Sequence, residues 1–187
     1  GRLDEAIRQM RIAHELARLP QGMTLLPGAR APLRGVMHEL VCEHGRAAPR
    51  IELGAPPRLI APAPAAELFE ARLVRFFKAE ARRDLEARVA AHARTLNARP
   101  GKIQVKDLRS RWGSCTMEGA LSFSWRVVLA PPFVLDYLAA HETAHLIEMN
   151  HSRRFWNLVR RCIPDYERGR AWLHDHGCAL HAVGMAR

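Results

Sequence analysis

FVLDYLAAHETAHLIEMNH, residues 133–151, is the stretch on which the reading of this chain turns. From Phe133 to Ala140 it is apolar nearly all round, the signature of a buried helix. Pro131-Pro132 just ahead is suited to opening that helix, which is predicted to run through Met149. Inside it, His141-Glu142-Thr143-Ala144-His145 reads H-E-x-x-H. Four residues advance a helix by about 40° net, so both imidazoles project from one side, one turn apart. Glu142 lies about 60° round from His145, beside a bound ion without ligating it. Two histidines and a glutamate in a buried helix are costly unless paired or holding a metal. Zinc takes imidazole nitrogens at roughly 2.0–2.1 Å, and its catalytic sites use three protein ligands plus a water. The metal brings the pKa of that water to about 7, and Glu142 stands where its base belongs. In a continuing helix, His151 would point about 240° away from His145. A left-handed turn at Asn150, a residue that tolerates one, would bring His151 back as third ligand.

Working outward, Leu121, Phe123, Trp125, Val127 and Leu129 alternate with Ser122, Ser124 and Arg126, predicting a half-buried strand over 120–129. Ile103 and Val105 predict another, after the Pro100-Gly101 turn. Residues 65–98 carry a long helical pattern through Phe69, Leu73, Phe77, Leu85, Val89 and Leu96. Before it, residues 23–64 are short apolar pieces punctuated by Pro and Gly, read as β-hairpins, and residues 2–19 as a short amphipathic helix ending at Pro20. Beyond the central stretch, Ser152 is placed to cap a helix with Phe155 and Val159 inside, and Asp165 a last one carrying Trp172 and Leu180. The domain expectation is therefore residues 1–64 as an N-terminal helix and small β-rich subdomain, and 65–187 as the part that carries the chemistry.

A chain of 187 residues buries enough surface to fold without staples. Its four scattered cysteines show no C-x-x-C pair, which points to thiols in a reducing compartment rather than a disulfide framework. No apolar run reaches the roughly 18 residues of a membrane span, and Gly1–Glu5 lacks the layout of a signal peptide. A cytoplasmic location is expected; the sequence opens without Met, so a natural start upstream is expected too. The net charge of +10 invites a nucleic-acid reading. Nearly all of that charge is Arg, however, with Lys78, Lys102 and Lys106 the only lysines, a pattern that a GC-rich coding sequence also produces. His174, His176, His181, His38 and His44 lack a recognised ligand spacing, and no base is placed for Ser114 or Cys115 as nucleophiles.

Arg111-Trp112-Gly113-Ser114-Cys115, Ala130-Pro131-Pro132, Leu135-Asp136-Tyr137, the H-E-x-x-H residues, Asn150-His151-Ser152 and Phe155-Trp156 together resemble the YgjP-like metallopeptidases, which are similar to the SprT and WLM zincins. The resemblance covers roughly residues 66–176. It implies an α+β zincin-like fold: a small antiparallel sheet packed on the H-E-x-x-H helix, with the β-rich N-terminal segment and the long connecting helix beside it. It also implies one Zn2+ per chain on His141, His145 and His151, with Glu142 as general base for peptide hydrolysis. Ser124 stands where many relatives carry Asn, and Thr143 where an aliphatic residue is usual. The His145-to-His151 spacing also matches metzincins, but Glu148 occupies the position of their glycine.

Arg111 and Trp112 are candidates to line the cleft. In zincins the strand upstream of the active helix is commonly a sheet edge that pairs with extended substrate, so Ser122 and Ser124 are candidate substrate contacts. A peptide or protein substrate is the leading expectation. Two others stay open: a zinc-dependent nucleotide or phosphate-ester hydrolase using the abundant Arg, and a DNA-associated SprT-like protease or nucleic-acid-binding module with a metal site. The oligomeric state is not legible.

Overall fold

The computed structural model describes residues 23–184; the helix expected over 2–19 lies outside them. The chain divides into two compact units. One holds the described residues up to Phe77 together with Leu129–Pro131 and residues 176–184; the other holds Lys78–Val128 and Pro132–Asp175.

The first unit is built on a four-stranded sheet in the order β1-β2-β4-β3, from Arg30–Leu33 (β1), Val36–His44 (β2), Arg50–Glu52 (β3) and Arg58–Ala63 (β4). Arg34 and Gly35, at φ 51° and 76°, make the two-residue turn joining β1 to β2, a conformation whose twist suits adjacent antiparallel strands. The expectation of hairpins holds for β1/β2 and β3/β4, but β2 and β4 run parallel. Local turn chemistry carries no information about that pairing. Leu40, Leu59 and Ile60 are fully buried, as are Phe69, Leu73 and Phe77 at the start of the long helix α1 (Phe69–Leu96). That helix matches its predicted span. Asn97 ends it at φ 54°, and the Ala98 amide donates to the Ala93 carbonyl at 2.9 Å, a left-handed cap.

The second unit carries a three-stranded sheet in the order β5-β7-β6, from Ile103–Lys106 (β5), Gly113–Cys115 (β6) and Leu121–Ser124 (β7). The α+β class is as expected, but this sheet is mixed: β5 is parallel to β7, and β6 antiparallel to it. The strand predicted over 120–129 stops at Ser124, and Trp125–Leu129 is a 3-10 turn of helix. From Ser124 on, its apparent polar face does not meet solvent. Ser124 is 0% and Arg126 1% exposed, the Arg126 guanidinium paired with Asp107 and set 4.5 Å over the Trp125 ring. Alternation therefore signalled two environments where there is one.

Three helices follow: α2 (Pro132–Ala144), α3 (Arg153–Cys162) and α4 (Tyr166–His181). Pro132 opens α2 as predicted, and the Ser152 hydroxyl caps α3 by accepting from the Phe155 amide at 3.3 Å. α4 begins directly after Asp165. Within this unit His92 of α1 bonds Asp136 of α2 at 2.8 Å. Leu96, Tyr137, Ala144, Phe155, Val159 and Tyr166 form one buried cluster. A Cβ on Gly169 would stand 2.5 Å from that of Tyr137, so only glycine lets α4 lie this close to α2. All four cysteines are free. Among the described residues no helix is long and apolar enough to cross a membrane.

Candidate active site

The site begins where α2 ends. After Ala144 the chain makes tight turns: Leu146 donates to the Thr143 carbonyl, and Ile147 and Glu148 both donate to that of Ala144, at 3.1–3.2 Å. The helix is thus shorter than the predicted run to Met149. Asn150 does not take the left-handed conformation expected of it, since among the described non-glycine residues only Arg34 and Asn97 have positive φ. Instead the reversal is held by the Glu148 carboxylate, which accepts from the Asn150 amide at 3.3 Å, and by the Ser152 amide donating to the Asn150 carbonyl at 2.7 Å.

The outcome is a near-equilateral triangle of imidazoles. Ring centroids lie 4.9 Å apart for His141 and His145, 5.0 Å for His141 and His151, and 4.8 Å for His145 and His151. One ring nitrogen from each falls within 4.8 Å of the others, and Nε2 of His141 is 3.1 Å from Nε2 of His151. Two ligands at roughly 2.0–2.1 Å from a tetrahedral ion stand roughly 3.3 Å apart, so the set can hold a metal ion of that kind. The protonation chemistry agrees. Burial, then the charges of His145 and His151, push His141 down to about 3, and burial also lowers His145. Both are held in the neutral form that ligates.

The outer nitrogens are tied down. His145 Nδ1–H donates to the Glu148 carbonyl at 3.0 Å, leaving Nε2 to face the cluster. His141 Nδ1 lies 3.4 Å from the Tyr137 hydroxyl. Such partners fix tautomer and ring orientation. Beneath the triangle, Phe155 lies 4.5–4.9 Å from all three rings. Trp156 stacks on His151 at 5.8 Å and on Tyr166 at 5.3 Å.

Glu142 is 4% exposed, and its Oε2 is buried without a hydrogen-bond partner. Burial pushes its carboxyl up to about 8, with the Arg111 charge pulling the other way. β6 presses on it directly: a Cβ added to Gly113 would stand 2.4 Å from Glu142 Oε1 and 2.8 Å from its Cγ.

The candidate substrate residues fare unevenly. Arg111 is exposed just ahead of β6, and Trp112 is half-buried, its carbonyl accepting from the Ser124 amide at 2.8 Å. β7 is the central strand of its sheet, so the free edge expected over 120–129 is not there: Ser122 is opposite Gln104 on one side and Ser114 on the other. Ser124 is enclosed, its hydroxyl donating to the Leu108 carbonyl at 3.4 Å. The edge beside Glu142 is β6. His174 bonds Asp175 at 3.0 Å on α4, His38 bonds the Val36 carbonyl in β2, and neither belongs to a metal-capable group among the described residues. Sequence reasoning missed Tyr137 and Gly113. Tyr137 was findable, since it precedes His141 by four residues, one helical turn. Gly113, as a glycine in the run of residues 111–115, is a residue that permits close backbone approach, but nothing local names Glu142 as what approaches.

Residues 3–176 match the family model described as YgjP-like, metallopeptidase domain. No curated protein matches the chain. Among solved structures, the crystal structure of the metallopeptidase zymogen of Pyrococcus abyssi abylysin is similar. It is 23% identical over 48% of this chain and 89% of that one, with a TM-score of 0.43.

Proposed function

Because the chain belongs to the YgjP-like metallopeptidase family, we propose that it hydrolyses peptide bonds with one zinc ion per chain, held by His141, His145 and His151, and with Glu142 as general base. Zinc held there would supply a Lewis acid for the substrate carbonyl and a water of lowered pKa. The three imidazoles contribute Nε2 donors, that of His141 oriented from behind by Tyr137 and that of His145 by the Glu148 carbonyl. Glu142 takes a proton from the attacking water and returns it to the leaving amine. The observation that carries the proposal is Glu142 itself: a buried carboxylate whose Oε2 has no partner, on the same helical turn as two clustered imidazoles. A purely structural ion has no use for such a group.

β6 is the sheet edge nearest Glu142, and we assign it the substrate backbone, which would add to it as a strand. Arg111 and Trp112, leading into β6, then flank the peptide. The peptidase domain is taken as residues 65–187, and four free thiols support a reducing, cytoplasmic setting. Membership of a peptidase family favours peptides over phosphate esters. The test is hydrolysis by zinc-loaded protein of unfolded proteins, short peptides and nucleoside triphosphates. Cleavage of the first two and not the third is expected, and turnover of triphosphates alone overturns the reading.

A further inference from the structure

Where the turn between β6 and β7 meets the chain leaving α2, the second unit carries a cavity of about 190 Å³. Resting on the peptidase reading above, we propose that this cavity receives one apolar side chain of the substrate, on a residue flanking the bond that is cut.

Position is the first reason. His145 lines the cavity and also belongs to the imidazole triangle. In an extended peptide each residue spans about 3.3 Å and neighbouring side chains alternate in direction. A peptide bond set at the histidines therefore brings a flanking side chain to this opening.

Chemistry is the second. The walls are Met117 and Gly119 on one side and Leu146, Ile147 and Met149 on the other. Although 26% of the chain is charged, no Asp, Glu, Lys or Arg lines the cavity. The polar groups present are engaged. Thr116 accepts from the Ala120 amide at 3.3 Å and bonds the Glu118 carboxylate, and His145 Nδ1 is taken by Glu148. A carboxylate entering here would lose water and find no cation among the lining residues. At about 190 Å³ the cavity has room for one side chain the size of Leu, Met or Phe.

Exposure is the third. Met117 is 80%, Met149 39% and Ile147 37% exposed, large apolar groups held in water around one opening. Clustered apolar surface of this kind marks a binding site, and methionine adapts to varied shapes. The wall is also built rather than loose. Gly119 sits at φ +79°, where a Cβ would meet Leu146 Cδ2 at 3.3 Å, and the Gly101 amide donates to its carbonyl at 2.9 Å.

The test uses full-length, zinc-loaded protein digesting reduced, unfolded casein, with the new termini sequenced by mass spectrometry. Leu, Met and Phe should be enriched at one fixed position next to the cut, and Asp and Glu depleted. Met117→Glu, at an exposed position, should lower cleavage at apolar sites about tenfold and raise the share of Lys and Arg there, with zinc content and Tm unchanged. Independently of turnover, N-acetyl-leucinamide should shift the Met117 and Met149 methyl resonances, and N-acetyl-aspartamide should not. A cleavage profile untouched by Met117→Glu, with no methyl shift, overturns the pocket and leaves the peptidase standing. No cleavage by the unmutated protein overturns the peptidase, and the pocket's role in substrate recognition with it. Self-association that Met117→Glu abolishes would instead give the surface to a second copy.

Discussion

Gly113 lies against Glu142 so closely that a Cβ on the glycine would stand 2.4 Å from the carboxylate oxygen. One residue of a three-residue edge strand thereby sets where the carboxylate of α2 can be. The position is glycine because of what faces it, since its backbone needs no positive φ.

Gly113→Ala should therefore displace Glu142 or push β6 outward. A misplacement of about 1 Å is worth about a hundredfold in rate, and the same order of loss in kcat/KM is expected. Metal content, measured by atomic emission, should stay at one zinc per chain. An alanine variant with normal turnover would show that β6 does not position the carboxylate.

Glu142→Gln changes the chemistry and keeps the shape. All three histidines remain, so zinc content and melting should hardly move. The amide cannot accept a proton, and hydrolysis should fall by about 10²–10⁴. Near-normal hydrolysis with zinc bound would move the base elsewhere.

Metal binding separates His151 from the other late histidines. His151→Ala should lose most of the bound zinc, because it removes one of three ligands. His174→Ala, remote in role and paired with Asp175, should keep it. Dipicolinate should abolish peptide hydrolysis by the unmutated protein, and added zinc should restore it. Equal zinc retention in both variants would strike His151 from the ligand set.

Asp107 is the partner of the buried Arg126. Burial raises its pKa, but the hydrogen bond and charge of Arg126 outweigh that, and the carboxyl lies below its usual range. A group depressed in the folded state stabilises above its unfolded pKa, about 3.9, and its contribution is lost as pH falls through the folded value. Asp107→Asn should thus destabilise by about 1.5 kcal/mol at pH 7, the low end for a charge-assisted bond, because the carboxylate is 45% exposed and screened. In urea titrations the gap between variant and parent should close below about pH 4. A gap independent of pH would mean that the charge is not what matters.

What the sequence alone determined is what lies within a few turns of one helix. H-E-x-x-H puts His141, Glu142 and His145 in register because helical spacing is a local property. The Ser152 cap and the span of α1 are local in the same sense, and His151 was legible as a partner although the turn that delivers it was misassigned. Tertiary structure decided the rest. Whether β7 is an edge or a centre depends on β5 and β6, segments with no local signal of their pairing to it. That Ser124 and Arg126 are buried follows from the packing around them, and polarity alone sent both to solvent. Gly113 against Glu142, and Met117 across from Met149, are juxtapositions of residues about thirty apart in the chain. They arise only when the sheet closes on α2, because strand register is set by packing and not by spacing.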